Sequence, residues 1–177
     1  MFQQLFRRSI GLLCKGVLMF SLCCFAALAI AGKLPNPQGR IILTVTGNIE
    51  NTNAPGKAEF DRSMLESLGT EVLRTSTSWT DGQSVFSGVP VQRLLDAVGA
   101  QGIMVTAHAL NDYTIDIPVS DFSHYKVLAA LKMDGQYLKV RNKGPIWIVY
   151  PRDDFPELKN PYEDRKWIWQ LYSLEVK

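Results

Sequence analysis

Cysteine is almost missing from this chain. Its three copies, Cys14, Cys23 and Cys24, all lie among the first 24 of 177 residues. From there on no thiol is available for a disulfide framework, a zinc thiolate site or a cysteine nucleophile, so folding must rest on core burial. Histidine is nearly as scarce. His108 and His124 are the only two, and neither has a second histidine or a close carboxylate at ligand spacing, which argues against a zinc site. His108 falls inside an apolar strand and reads as a packed, hydrogen-bonded side chain. No G-x-S-x-G, Walker loop, G-x-G-x-x-G or H-E-x-x-H occurs, and scattered Ser, His and Asp make no serine triad. Neither sign of charge dominates, with 19 basic and 17 acidic side chains. Nucleic-acid binding by bulk electrostatics is therefore not indicated. Repeats, low-complexity tracts and an interdomain linker are also lacking.

The one long apolar run is N-terminal. Arg7, Arg8 and Lys15 precede Gly16–Ala31, which ends in Ala29-Ile30-Ala31. A basic start, a short apolar stretch and small residues at −3 and −1 predict a secretory signal peptide over 1–31, cleaved after Ala31, and a periplasmic product without stable membrane insertion. The apolar run is short for a membrane span of about 20 residues. Arg7-Arg8 leaves both the general secretory and the twin-arginine route open. Cleavage would remove all three cysteines and three of the 19 cations, leaving 16 against 17 acids.

Residues 32–40, with two prolines, predict an extended leader. Residues 41–177 predict one domain of short elements. Strands are expected at Ile41–Gly47, Glu71–Thr77, Ile103–Ala109, Tyr113–Ile117, Val127–Met133, Tyr137–Val140, Ile146–Tyr150 and Trp167–Val176. Helices are expected at Phe60–Leu68, Val91–Val98 and Val119–Tyr125. Asp134-Gly135 signals a hairpin. Arg152–Lys166 reads as a long charged loop, and its acid pairs Asp153-Asp154 and Glu163-Asp164 as solvated. The class is α+β, a mixed sheet or flattened barrel with helices to one side.

Aromatic, hydroxyl and amide groups on three loops carry what chemistry remains. Arg74, Thr75, Ser76, Thr77 and Trp79 follow a strand. Asn111, Asp112 and Tyr113 join two strands. Arg141, Lys143 and Gly144 lead into Pro145 at a corner before an apolar run. Converging loops of this kind would offer aromatic faces for stacking (Trp79, Tyr113), a carboxylate acceptor (Asp112) and cationic donors (Arg141, Lys143). A planar heterocycle with a polar edge suits such a set. Trp147, Trp167 and Trp169 lie in expected strands and read as core.

Four segments, in order, resemble the oxidoreductase molybdopterin-binding domain of sulfite-oxidase type: the strand into Arg74–Trp79, Phe86-Ser-Gly-Val-Pro-Val-Gln-Arg-Leu-Leu95, Leu110–Ile117, and Asp134-Gly-Gln-Tyr…Lys143-Gly-Pro-Ile-Trp-Ile-Val-Tyr-Pro151. The second is similar to the family's F-x-G-V-P-L-x-x-L-L. The fourth is similar to its N-G-x-x-L…G-G-P-x-R-x-x-x-P, and Trp167-Ile-Trp-Gln-Leu171 resembles the family's K-W-L strand.

Two departures bear on function. Catalytic members ligate molybdenum through a cysteine just after the strand that here enters Thr75-Ser76-Thr77, and a hydroxyl does not replace a soft thiolate. The family's arginine after G-G-P-x is here Trp147, which places Trp147 among the expected ligand-binding residues. The chain thus looks like the short secreted members without that cysteine, some of which bind pterin and report it to a membrane enzyme that makes or degrades cyclic-di-GMP. The resemblance implies a periplasmic, non-catalytic pterin-binding protein with no metal, partnered by the periplasmic domain of an inner-membrane signalling protein. A molybdopterin-dependent oxidoreductase, or a ligand-free adaptor on the same fold, is the alternative. Arg152 and Arg165 in the charged loop are the expected partner contacts.

Overall fold

The computed structural model describes residues 34–177. The expected signal peptide lies outside the described residues. Two open five-stranded sheets carry the fold. The first has the order β2 (Ala58–Asp61), β1 (Ile41–Gly47), β10 (Leu171–Val176), β5 (Met104–Ala109), β6 (Thr114–Pro118). Within it β1 and β10 run parallel and the other pairs antiparallel. The second sheet orders β3 (Glu71–Ser76), β4 (Gln83–Pro90), β7 (Leu128–Met133) and β8 (Gln136–Tyr137), with β9 (Trp147–Val149) pairing the other end of β7. Neither sheet closes, so the expectation of a mixed sheet holds and that of a flattened barrel does not.

Period-2 patterning explains the strands. Leu43 and Val45 of β1 are both fully buried while their neighbours are partly open. In β4 the chain must pass close to β7, and a Cβ on Gly88 would overlap the Ala129 carbonyl. The apolar stripe Val91, Leu94, Leu95, Val98 is buried as expected. The first three residues lie on α2 (Val91–Ala97) and Val98 caps it.

Several expected elements differ. The strand expected at Tyr137–Val140 is only Gln136–Tyr137, with Val140 starting a 3-10 turn, and β4 was not expected as a strand. Phe60 is the fully buried third residue of β2, not the first of a helix, and α1 spans only Arg62–Ser67. Asp61 makes the break, its carboxylate accepting the Met64 amide at 2.9 Å as an N-cap. The same group accepts the Gln38 and Gly39 amides at 2.8 and 2.7 Å, so the leader is tied to the domain. The last strand begins at Leu171, leaving Trp167–Gln170 outside it, with Gln170 at φ 53°. The charged loop is also structured. It contains a 3-10 turn at Pro156–Leu158 and a short helix, α4 (Pro161–Asp164), capped by Asn160. Helix α3 (Val119–His124) falls where expected.

Candidate functional site

Four tryptophans meet where the loop after β3, the β9 strand and the segment before β10 come together. The Trp79 ring lies 5.3 Å from that of Trp169, 6.1 Å from Trp167 and 6.4 Å from Trp147, with every pair tilted or edge-on. Such aromatic packing adds about 0.5–1.5 kcal/mol per pair beyond area burial. Trp147 and Trp167 are buried, whereas Trp79 keeps 37% of its surface open. Beside the open face is a cleft of about 390 Å³, walled by Trp79, Trp167, Trp169, Tyr113, Ile168 and Pro161. Its polar lining is Ser78, Asn111, Asp164 and Arg165. The volume is within the usual range of about 300–1,000 Å³ for small-molecule sites, and so is the mix of apolar walls and few polar groups.

Of the twelve residues expected from sequence, Trp79, Asn111 and Tyr113 line this cleft. Tyr113 is held there by its hydroxyl, which donates to the Arg165 carbonyl at 3.0 Å. Asp112 lies between two lining residues but is exposed, at φ 65°, and does not line the cleft. Its place as a carboxylate is taken by Asp164, which accepts the Ser78 hydroxyl at 2.6 Å. The signal for Asp164 was its helix: Asn160-Pro161 caps and starts α4, and that fixes the acid against the loop.

The other expected residues have different roles. Trp147 has no exposed surface and donates its indole N–H to the Trp167 carbonyl at 3.2 Å, so it backs the cleft and does not face a ligand. Ser76 and Thr75 are occupied by Asp153. Its carboxylate accepts the Ser76 amide and hydroxyl at 2.7 and 2.6 Å, and its amide donates to the Thr75 hydroxyl at 3.3 Å. Thr77 is buried, bonded to the Thr80 hydroxyl and the Trp79 amide. Arg74 is exposed on β3.

At the corner, Lys143 holds its amine 5.0 Å from the Trp169 ring centre and 5.3 Å from that of Trp147. The Gly144 amide is spent on the Lys139 carbonyl and the Lys143 carbonyl on the Gln170 amide. The corner therefore anchors the tryptophan segment and is not an anion-binding nest. A Cβ on Gly144 would overlap the Leu138 carbonyl, which explains a glycine there. Arg141 is exposed on the 3-10 turn Val140–Asn142.

The charges of the Arg152–Lys166 loop are largely spent within the molecule. Lys166 pairs with Asp121 at 2.8 Å and Glu163 at 2.9 Å, and Arg152 faces Asp164 at 3.7 Å. Arg165 covers the Tyr162 ring at 4.4 Å and lines the cleft. Burial works against the Lys166 ammonium, but hydrogen bonds to Asp121 and Glu163 outweigh it and hold its pKa above the ordinary lysine value. Burial, then the Asp121 charge, pushes the Tyr150 hydroxyl far above its usual range. Ser76 and Gln83 hold the Asp153 carboxyl down at about 2. At the cleft wall the Trp167 indole N–H is buried without a partner. So are Asp164 Oδ1 and Arg152 Nε, which face each other beyond hydrogen-bond reach.

Residues 58–155 match the family model described as the oxidoreductase molybdopterin binding domain, more than half of the chain. The chain belongs to this family. Among solved structures it is similar to the sulfane dehydrogenase SoxCD from Paracoccus pantotrophus, with a TM-score of 0.56 and 18% identity over 76% of this chain. At that identity the likeness concerns the fold, which is of sulfite-oxidase type as the motifs imply. The chain spans 37% of that SoxCD chain. No curated protein matches it.

A molybdopterin-family fold implies a pterin-type cofactor, and the residues present fit its organic part better than its metal. Aromatic walls with Asp164 and Asn111 suit a flat heterocycle bearing an amide-like edge. No thiol exists in residues 34–177, and the hydroxyl of Ser76 is already committed to Asp153. Among the described residues no group of three or more His, Cys, Asp or Glu side chains is placed to hold a metal ion.

Proposed function

We propose that this protein binds a pterin in the tryptophan cleft and acts as an exported, non-catalytic ligand-responsive partner of a membrane cyclic-di-GMP enzyme. The observation that carries the binding reading is the cleft itself. An open indole face of Trp79, braced by three further tryptophans, stands beside the Asp164 carboxylate and the Asn111 amide. A pterin has a flat bicyclic face for stacking and a 2-amino-4-oxo edge whose N–H groups a carboxylate accepts. Selection by such an edge is strong, because a wrong guest leaves buried polar groups unpaired. Asp164 Oδ1 and the Trp167 indole N–H are closed to solvent, so a ligand would reach them only as side chains rotate.

The non-catalytic part rests on the missing thiol, since a molybdenum centre of this family's kind takes a cysteine ligand. Export rests on the pattern of residues 1–31, and the signalling partner on the likeness to short secreted members of the family. The decisive experiment isolates the full-length gene product from the periplasm, in the dark and under reducing conditions. Pterin absorbance and fluorescence, and molybdenum content, are then measured on the same sample. Stoichiometric pterin without molybdenum is the expected result. Stoichiometric molybdenum would instead establish an oxidoreductase, and absence of pterin a ligand-free module.

A further inference from the structure

A second, larger cleft of about 920 Å³ lies between β1 and β10 of one sheet and the β8 region of the other. Ten large apolar or aromatic side chains are exposed among the described residues. Five of them, Ile41, Leu110, Tyr137, Val140 and Tyr172, line this one cleft. Scattered exposed apolar side chains are ordinary, but a grouped set marks an interaction surface.

The same cleft is basic. Arg40, Arg62 and Lys139 line it, and Asp61 is the only acid lining it among the described residues. The Asp61 carboxylate is consumed by the Met64 amide, the Ser63 hydroxyl and the Gly39 and Gln38 amides, which hold its pKa far below the ordinary carboxylate range. Tyr137 is set in advance. Arg62 and Lys132 lie 4.3 and 4.4 Å from its ring centre, and its hydroxyl donates to Glu66 at 2.7 Å. Arg40 and Lys139 have no side-chain hydrogen bond or ion pair within the described residues, so their charge remains available to an occupant.

We propose that this cleft is a docking groove for an acidic, apolar-bearing segment of a partner protein. Charge complementarity selects that occupant. The chain's own first 31 residues carry three cations and no acid, so they do not suit a basic groove. A small anion would satisfy the cations but leave five apolar side chains uncovered. The groove is lined by none of the residues of the tryptophan cleft, so the inference does not depend on what that cleft binds.

Three fluorescein-labelled decapeptides test it on the ligand-free protein: one alternating Asp with Leu, one with Lys in place of Asp, one with Ser in place of Leu. Fluorescence anisotropy should show binding of the first alone, weakening as salt rises. The double variant Arg40→Glu/Lys139→Glu should lose at least roughly tenfold in affinity with an unchanged unfolding midpoint, while Arg40→Lys retains binding. Equal binding of the Lys peptide, or of the Ser peptide, would overturn the proposal. So would displacement by inorganic phosphate at matched ionic strength, which would indicate a small-anion site. A protein dimer abolished by the same double variant would assign the groove to a second copy instead.

Discussion

Asp153 holds Ser76 by two bonds across 77 residues of sequence, accepting its amide at 2.7 Å and its hydroxyl at 2.6 Å. This pair fixes the end of β3, and so the loop that presents Trp79, against the segment after β9. Ser76 also belongs to the stretch Thr75-Ser76-Thr77 in which the resemblance implies a metal-binding cysteine in catalytic members.

Replacing Asp153 by Asn should destabilise the domain by about 1.5–3 kcal/mol, the usual worth of hydrogen bonds to a charged group. Denaturant unfolding measures it. The pH dependence has a definite sign. Its carboxyl sits at about 2 in the folded protein against an ordinary 3.8, so its contribution is complete above about pH 4 and fades as pH falls toward 2. Asp61 is shifted in the same direction and adds to the same acid limb. Asp153→Asn should flatten part of that limb without changing stability differences among pH values above 5.

Trp79→Ala should weaken pterin binding by roughly tenfold or more, since one stacked aromatic face supplies about 1–3 kcal/mol. Titration with a reduced pterin, followed by intrinsic tryptophan fluorescence, reads this directly. Unchanged affinity would take Trp79 out of the site.

Asp164, which lines the cleft, and Asp112, which does not, are separable. Asp164→Asn should reduce pterin affinity at least about tenfold, because it replaces with an N–H donor one of the two carboxylate oxygens that side-chain rotation would turn toward the ligand edge. Asp112→Asn should leave affinity within about twofold, the side chain being outside the cleft lining. The reverse result would return the recognition role to Asp112.

Lys166→Met should be strongly destabilising, by about 3 kcal/mol, because it strands the buried Asp121 carboxylate with only the Tyr150 hydroxyl, 3.1 Å away. The double variant Lys166→Met/Asp121→Asn should recover a large part of that loss, as chemical denaturation of both proteins will show.

Most strands and the α2 helix were legible because alternation and 3.6-residue spacing state directly which side chains are buried, whereas β2 and β4 were not read as strands. Leu43 and Val45, and the Val91-Leu94-Leu95-Val98 stripe, needed no tertiary information. Phe60 misled because helical spacing with Met64, Leu65 and Leu68 is satisfied equally by a strand end followed by a capped turn. The Asp61 cap decides between them through partners at Gln38 and Gly39. Trp79, Asn111 and Tyr113 were legible as aromatic and amide groups on loops, and the structure brings them to one cleft. Trp147 was placed by a motif position alone, and its burial depends on Phe86, Trp167 and Trp169 packing around it.

The sequence by itself determined the family, the absence of a thiol beyond Cys24, and the apolar faces of most elements, since these are properties of local order and composition. Only the tertiary structure decided which carboxylate faces the tryptophan cleft and which hydroxyls are already spent. It also decided that the cations at Arg40 and Lys139 share one groove with five exposed apolar side chains. Those outcomes depend on contacts across tens of residues, such as Ser76 with Asp153 and Ser78 with Asp164. No local periodicity encodes them.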